Sequence, residues 1–202
     1  MAIVQERFAF FGEIPRTLRP GEAEQGVVEA TNRAMPGLAR AVILREIDGE
    51  GIMIHETRKG GSADAQSYRR TLEGRGGLER QRWYLPLASW VNPGVRRVAF
   101  MRTFRVITAA GAKDAVVAKL ANLVELVIGQ VPELKLAVIH EGLDRPEEIM
   151  LYEEWDGTKA GFLANEAPQP YRRAYREDTA HLIADRGDLE WLSPIRIYES
   201  ES

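Results

Sequence analysis

The stretch of sequence that decides the fold is IMLYEEWDGTKAGFLANEAPQPY, residues 149–171. Its opening run, IMLYEEW, places bulky side chains on both faces of a strand, because side chains alternate along a strand. This pattern is typical of an interior strand. An Asp-Gly turn signal follows Trp155, and then comes a helix that Pro168 and Pro170 interrupt. The stretch therefore predicts a strand that delivers Trp155 to the mouth of a cavity.

The composition limits the classes of partner. At 202 residues the chain has room for one large domain or two domains of about 100 residues each. A net charge of -3, with acids and bases interspersed and arginines in doublets, argues against nucleic-acid binding. No apolar run reaches the roughly 20 residues that a membrane span needs, so no membrane partner is predicted.

The amino terminus and the residue counts narrow the site chemistry. The first residues lack the basic-then-apolar pattern of a signal peptide, so a cytoplasmic location is expected. The absence of cysteine excludes disulfides, thiolate metal sites and a cysteine nucleophile. His55, His140 and His181 lie too far apart in sequence for a local metal-binding motif. No metal is predicted.

Hydrophobic periodicity and turn signals divide the chain into two halves at Asn-Pro-Gly, residues 92–94. In the first half the patterns predict strands over 3–11, 38–48, 51–57 and 80–91, and helices over 21–34 and 63–74. Pro36-Gly37 and the glycine-rich run 74–77 end these helices, and Pro86 favours an edge position for the last strand. In the second half they predict strands over 97–107, 134–142, 149–155 and 189–199, a helix over 111–129 and a broken helix over 158–185. One face of the 111–129 helix is apolar, formed by Val116, Leu120, Leu123, Val124 and Val127.

The two halves repeat each other. Six residues of the first half (Pro36, Leu38, Ala41, Val42, Ile43 and Asp48) recur in the same order as Pro132, Leu134, Ala137, Val138, Ile139 and Asp144. Near the end of each half, Trp83 and Pro86 recur as Trp191 and Pro194. Matching order of proline, strand, turn and tryptophan favours a tandem duplication over chance similarity. We therefore predict two domains, 1–94 and 95–202.

Each half reads as strand–helix–strand–strand–helix–strand, which is the ferredoxin-like βαββαβ arrangement. The expected fold class is α+β, with two tandem ferredoxin-like units whose antiparallel sheets pair as an α/β barrel. Two such sheets, each covered by helices on one face, can bury their other faces against each other. The pairing could occur within one chain or with another copy, so a homodimer is possible.

Residues 98–198 resemble the antibiotic biosynthesis monooxygenase domain family of the dimeric α/β barrel superfamily. The resemblance rests on P-E-L-x-x-A-V-I followed by L-D-R-P, and on the strand L-Y-E-E-W. The helix F-L-A-N-E-A-P-Q-P-Y is also similar to the family's F-x-A-H-x-x-S-P-H-F. Residues 1–91 resemble the same domain faintly and are interpreted as a degenerate copy.

The sequence departs from the family pattern at the helix histidines, whose places are taken by Asn165 and Gln169. The resemblance implies that haem-degrading relatives need a histidine at the first of these positions and an asparagine on the strand before Gly111. Neither is present, and an amide is a poor haem ligand. No cofactor is predicted. In the first half, Arg58 and His55 stand where the second half has Trp155 and Tyr152.

The resemblance implies a substrate site around the end of the 149–155 strand. The candidate catalytic residues are Trp155, Asn165, His140 and Tyr152. The candidate substrate-binding residues are Leu151, Glu153, Phe162, Gln169, Tyr171 and Tyr175. Trp155 would donate its indole N–H or offer its ring, Asn165 an amide donor, and the tyrosines a proton relay. The alternative is structural: a core tryptophan, a turn-forming asparagine and tyrosines that pack together.

Three functions are compatible with these residues. The first is a cofactor-independent monooxygenase that oxidises a small phenol, quinol or polyketide-like aromatic with dioxygen, as family members without metal or flavin do. The second is a non-oxidative isomerase or lyase of the same superfamily, with His140 or His55 as base. The third is a non-catalytic module that binds a small apolar molecule.

Overall fold

The computed structural model describes residues 7–14, 38–73, 79–95 and 97–199. The predicted helix over 21–34, with Pro36-Gly37 after it, and the glycine-rich run 74–77 lie outside these residues. The chain divides into two compact units. The first unit is Gln5–Leu85 with Leu192–Ser202, and the second unit includes Pro86–Trp191.

The first unit contains strands β1 (Arg7–Ile14), β2 (Leu38–Glu46), β3 (Ile52–Lys59) and the start of β4 (Glu79–Val91), with helix α1 (Ser62–Glu73) before β4. The second unit contains β5 (Phe100–Thr108), helix α2 (Lys113–Gln130), β6 (Leu134–Gly142) and β7 (Glu148–Trp155). It continues with α3 (Lys159–Gly161), a π-helical turn (Phe162–Glu166), α4 (Pro170–Thr179), a 3-10 turn (Ala180–Leu182) and the start of β8 (Ile183–Glu199).

The strands are hydrogen-bonded in the same order in both units. In the first unit the order is β4-β1-β3-β2, and in the second it is β8-β5-β7-β6. The pairs β1–β3, β2–β3, β5–β7 and β6–β7 are antiparallel. This confirms the α+β class and the two ferredoxin-like units. β4 and β8 each contribute one end to each unit, as the predicted α/β barrel order requires. The tandem duplication and its boundary at 94/95 stay predictions.

The two units divide at Leu85/Pro86 and Trp191/Leu192, away from the turn at 92–94. That turn is present, with the Asn92 side chain accepting a hydrogen bond from the Gly94 backbone N–H at 3.1 Å. β4 pairs with β1 between Glu79 and Tyr84, so Pro86 lies just beyond this pairing. The edge position expected from Pro86 is wrong, because β4 has a hydrogen-bonded neighbour on each side, β1 and β6.

The last strand begins earlier than predicted, at Ile183 instead of 189, so the predicted helix over 158–185 was too long. The residues around Gly187 are mostly polar, so the hydrophobic pattern does not predict a strand in this part of β8. The Arg105 guanidinium pairs with the carboxylates of Asp188 and of Glu190, the second at 3.4 Å. A Cβ atom at Gly187 would lie 3.1 Å from the Arg105 carbonyl oxygen, so the two backbones approach closely. These contacts extend the strand where the local pattern indicates a loop.

The core of the second unit lies between α2 and one face of its sheet. The apolar face predicted for α2 is confirmed, because Val116, Leu120, Leu123, Val124 and Val127 are all buried. They pack against strand residues that include Ala137, Ile139, Ile149 and Leu151. Together these contacts seat α2 on the sheet next to the end of β7.

The first unit places charged and aromatic groups together beneath α1. Arg58 donates to Glu56 Oε2 from Nε at 2.8 Å and to the Tyr68 hydroxyl from Nη2 at 2.9 Å. The Tyr68 hydroxyl donates to Glu56 Oε2 at 2.8 Å. Burial and then the Glu56 charge raise the Tyr68 pKa, so its phenol stays protonated. Arg58 pairs with Phe8 and Leu38 as Trp155 pairs with Phe100 and Leu134, and it is part of a buried hydrogen-bonded cluster.

Among the residues described, no helix has both the length and the apolar character to cross a bilayer.

The α2 packing gives a test with a matched control in the same helix. Leu120→Ala removes a side chain that is 2% exposed and leaves a cavity in the core. We expect it to lower the free energy of unfolding by about 2–5 kcal/mol in urea titrations. Leu126→Ala makes the same chemical change at a side chain that is 38% exposed. It should cost about 1 kcal/mol or less, and equal losses would contradict the orientation of α2.

Candidate functional site

A cavity of about 290 Å³ lies at the end of β7 in the second unit. Four segments of this unit surround it: the start of β5, the end of α2 with the residues after it, the end of β7 with its turn, and the segment from the end of α3 to Gln169. Its lining residues are Phe100, Gln130, Val131, Pro132, Glu133, Trp155, Asp156, Gly157, Thr158, Gly161, Phe162, Asn165, Glu166 and Gln169. The volume suits a small organic molecule. Four residues singled out from the sequence, Trp155, Phe162, Asn165 and Gln169, thus meet at one cavity.

Aromatic rings form one wall of this cavity. Phe100 and Trp155 are paired across β5 and β7, and their rings are stacked at 7° with centroids 6.2 Å apart. Phe162 meets the Trp155 ring edge-on at 5.0 Å. Trp191 packs against Phe162 at 5.3 Å and Phe100 at 5.9 Å. The wall is apolar and fixed by its own ring contacts, which favours a flat apolar guest.

The π-helical turn brings apolar and polar groups to the same cavity. The Ala167 backbone N–H donates to the Phe162 carbonyl at 2.9 Å, across five residues instead of the four of an α-helix. Phe162 and Glu166, the first and last residues of this turn, are buried, and Asn165 is exposed at the cavity. The Gln169 side-chain amide donates to the Asn165 carbonyl at 2.7 Å. That bond uses the Asn165 backbone carbonyl, and Asn165 itself is an exposed residue of the cavity lining.

Four buried charges lie next to the aromatic wall. The Arg102 Nε contacts Glu153 Oε2 at 2.6 Å, and the Arg172 Nε contacts Glu166 Oε1 at 2.6 Å. The Arg172 Nη2 lies 3.9 Å from Glu153 Oε1, which joins the two pairs. All four residues are less than 10% exposed. Burial lowers the Arg102 pKa, and the Glu153 charge opposes this. Two cations and two anions leave the cluster formally neutral.

The charge cluster also holds the rings. The Trp155 indole N–H is donated to Glu153 Oε2 at 3.4 Å. The Arg102 guanidinium lies 4.8 Å from the Phe162 ring centroid, and that of Arg172 lies 5.0 Å from it. Because the indole N–H is bonded to Glu153, the contribution of Trp155 to the cavity is its apolar ring. Glu153 holds the Trp155 ring in place through this hydrogen bond.

Tyr171 and Tyr175 lie on α4, outside the cavity lining. The Tyr171 hydroxyl donates to Glu166 Oε2 at 2.6 Å. Burial raises the Tyr171 pKa, as does its hydrogen bond to Glu166, and burial raises the Tyr175 pKa to about 12. Both phenols are therefore protonated near neutral pH. Tyr171 helps to fix Glu166, and Tyr175 packs against the core.

Three further sequence candidates lie away from the cavity. Leu151 belongs to the core beneath α2. Tyr152 points to the other face of the sheet, because it neighbours Leu151 on β7, and its hydroxyl donates to Glu154 Oε1 at 2.8 Å. His140 pairs with Met150 on that same face, where burial lowers its pKa to about 3. The structure brings neither His140 nor Tyr152 to the cavity.

The sequence interpretation missed the residues that complete the wall and the cluster: Phe100, Arg102, Glu166, Arg172 and Trp191. Phe100 and Arg102 alternate along β5, opposite Trp155 and Glu153 on β7. Matching the ends of these two strands would have found both residues. No local signal identifies Arg172, which reaches the cluster only through the course of α4. Within the described parts of the chain, no group of three or more His, Asp or Glu side chains is placed to hold a metal ion.

The buried ion pair provides a stability test. Arg102→Met removes the cation that contacts Glu153 at 2.6 Å and leaves this buried carboxylate with the Arg172 guanidinium at 3.9 Å and the Trp155 indole N–H. A methionine fills much of the arginine stem volume. We expect the free energy of unfolding to fall by about 3–5 kcal/mol in urea titrations. The control is Arg97→Met, whose side chain is 78% exposed and 4.0 Å from Asp156. It should change stability by about 1 kcal/mol or less, and a similarly small effect at Arg102 would refute the buried cluster.

His140 gives a pH test. Its pKa is about 3 when folded against an ordinary value of 6.5, so below pH 6.5 the unfolded chain binds a proton that the folded chain does not. Its stabilising effect is complete above that pH and is lost as the pH falls towards 3. In His140→Gln the slope of unfolding free energy against pH should drop by about 1.4 kcal/mol per pH unit in this window. Parallel slopes for the two proteins would show that His140 is accessible to protons.

Comparisons with known proteins show the fold. No protein-family model matches the sequence, and no curated protein matches it. Solved structures do match. An anthrone oxidase-like protein superposes with a TM-score of 0.70 at 16% identity, over 98% of this chain and 95% of the other. A ferredoxin-fold protein from Listeria monocytogenes related to antibiotic biosynthesis monooxygenases has a TM-score of 0.62 at 8% identity, covering 95% and 96%.

A third match is a heme-degrading enzyme from Listeria monocytogenes, with a TM-score of 0.56 at 8% identity, over 92% of this chain and 98% of the other. At these identities the likeness concerns the fold. The resemblance that the sequence predicts is thereby confirmed at that level. The chain has the fold of the ferredoxin-fold proteins related to antibiotic biosynthesis monooxygenases.

Proposed function

We propose that this protein is a monooxygenase that oxidises a small phenol, quinol or polyketide-like aromatic with dioxygen in the cavity beside Trp155. One observation carries the proposal: three aromatic rings and an exposed amide line the same cavity of about 290 Å³. The rings suit a flat substrate, and the amide suits an oxygen atom on it. The likeness to an anthrone oxidase-like protein supports this reaction class.

The chemistry needs no reductant besides the substrate. A phenol and dioxygen give a quinone and water, since the ring C–H opposite the hydroxyl becomes a carbonyl and the second oxygen atom leaves as water. In the same way a ring methylene and dioxygen give a ketone and water. The substrate loses four electrons and dioxygen gains four. The protein has only to bind the substrate, exclude water and stabilise the charge that develops on oxygen.

The lining residues fit these tasks. Phe100, Trp155 and Phe162 provide a dry wall against which the substrate ring packs. Asn165 supplies an amide donor to a substrate or peroxide oxygen. Glu166 lines the cavity, but its oxygens accept from Arg172 and Tyr171, both at 2.6 Å. Glu166 is therefore a positioning residue that holds the π-helical turn.

The cavity residues do not fit a histidine-ligated haem. The described lining has amides at Asn165 and Gln169 and contains no histidine. Amide oxygens are poor ligands for haem iron. The proposed reaction therefore does not use haem.

A base-catalysed isomerisation has less support from the geometry, since His140 is buried on the sheet face opposite Trp155. Simple binding without turnover is the remaining rival. The homodimer and the cytoplasmic location expected from the sequence stay predictions.

Oxygen consumption tests the proposal. The purified protein, with a chelator and without flavin, should consume oxygen with at least one compound of a hydroquinone and anthrone panel. One molecule of product should form for each molecule of oxygen consumed, checked by mass spectrometry and an oxygen electrode. Asn165→Ala should lower kcat by about tenfold or more, because the oxyanion donor is lost.

Leu163→Ala is the matched control, since Leu163 lies in the same turn, is 49% exposed and does not line the cavity. Its kcat should stay near that of the unmodified protein. Tight ligand binding without oxygen uptake across the whole panel would favour the binding module instead.

A further inference from the structure

The charged residues that line the cavity all have the same sign. They are Glu133, Asp156 and Glu166, and the described lining contains no lysine or arginine. Glu166 is neutralised by Arg172 at 2.6 Å. Among the described residues, Asp156 forms an ion pair with Arg97 at 4.0 Å, and the side chain of that arginine is 78% exposed. Such a pair is weak and screened. The cavity therefore carries excess negative charge at Glu133 and Asp156.

The backbones of Glu133 and Asp156 are neighbours, one residue before β6 begins and one residue after β7 ends. The Asp156 backbone N–H donates to the Glu133 carbonyl at 2.8 Å, next to the pairing of Leu134 with Trp155. Glu133 is exposed and Asp156 is 43% exposed, so both reach the solvent side of the cavity. Like charges on neighbouring chain segments repel each other. A cation or a hydrogen-bond donor bound between them relieves that repulsion.

The aromatic wall behind the two carboxylates also attracts cations. Ring faces carry partial negative charge and attract cations. The Arg172 guanidinium lies 5.9 Å from the Trp155 ring, but the charge cluster to which it belongs is neutral. Trp191, whose ring centroid lies 5.2 Å from the Lys159 ammonium, does not line the cavity. The rings that line it are apolar with electron-rich faces, and the opening is anionic.

We propose that Glu133 and Asp156 are specificity-determining residues that make this cavity select its aromatic guest by charge. The guest carries an ammonium group or is an uncharged hydrogen-bond donor, and a guest that carries a carboxylate is rejected. This inference deepens the proposed function and rests on it for the identity of the cavity as the substrate site. A phenol consequently enters in its protonated form, because a phenolate would meet the same two carboxylates.

Three probes with one ring test the selection: tyramine as the cation, tyrosol as the neutral compound and 4-hydroxyphenylacetate as the anion. Dissociation constants are measured by isothermal titration calorimetry at neutral pH and low salt. We expect tyramine to bind about tenfold more tightly than 4-hydroxyphenylacetate, with tyrosol between them. The ratio should shrink as salt rises from about 0.01 M to about 1 M, since the Debye length falls from about 30 Å to about 3 Å.

The double variant Glu133→Gln/Asp156→Asn should bring the tyramine-to-anion ratio close to one while tyrosol binding changes little. The control is Glu147→Gln/Glu177→Gln, which removes the same net charge at two exposed positions outside the cavity lining and should leave the ratio intact. A ratio that persists in the first variant, an anion that binds as tightly as the cation, or no binding of any probe would each overturn the proposal.

The experiments distinguish a failure of the charge selection from a failure of the proposed oxidation. If the charge order holds but no compound consumes oxygen, the proposed oxidation is wrong and the charge selection stands. If oxygen uptake is found and carboxylate-bearing substrates are turned over as readily as amines, the selection is wrong and the oxidation stands.

Discussion

The contact between Arg102 and Glu153, 2.6 Å long and shielded from water, is the constraint on which the candidate site depends. It joins β5 to β7 directly behind the aromatic wall. Through Arg172 and Glu166 the same charges reach the π-helical turn, so sheet and turn are fixed to each other. A buried charge is tolerated only with a partner, and this requirement leaves few alternative arrangements. The ion pairs of Arg102, Glu153, Arg172 and Glu166 therefore stabilise the shape of the cavity.

The first unit also contains a buried arginine–carboxylate pair, but its neighbours differ from those in the second unit. Glu56 is again a buried carboxylate on the third strand, and it pairs with Arg58 at 2.8 Å. Here the arginine is two residues further along the same strand, and its guanidinium lies 4.1 Å from the Tyr68 ring centroid. Arginine, carboxylate and phenol are hydrogen-bonded to one another within this cluster. The second unit has Trp155 at the corresponding position, so its arginines come from β5 and α4 and its aromatic wall borders open space.

Much of the fold could be predicted from the sequence, because the apolar periodicity of its elements is local. β6 was predicted with its observed bounds, 134–142, and the buried face of α2 with the five residues that form it. β8 was misjudged at its start because contacts with Arg105 extend it through polar residues. The site was predictable only where neighbours in sequence are neighbours in space, as for Trp155, Phe162 and Asn165. Partners such as Arg102 and Arg172 depend on strand register and helix course, which no local pattern contains.

The π-helical turn at Phe162–Glu166 has a consequence for how this site can diverge. Relative to an α-helix the segment holds one additional residue, and each helical residue rotates the side-chain direction by about 100°. Losing a single codon there would return the backbone to regular α geometry and present a different side chain to the guest. The anchoring positions on either side could keep their roles. Evolution can thus exchange the group that meets the ligand by changing chain length, without touching the supporting ion pairs.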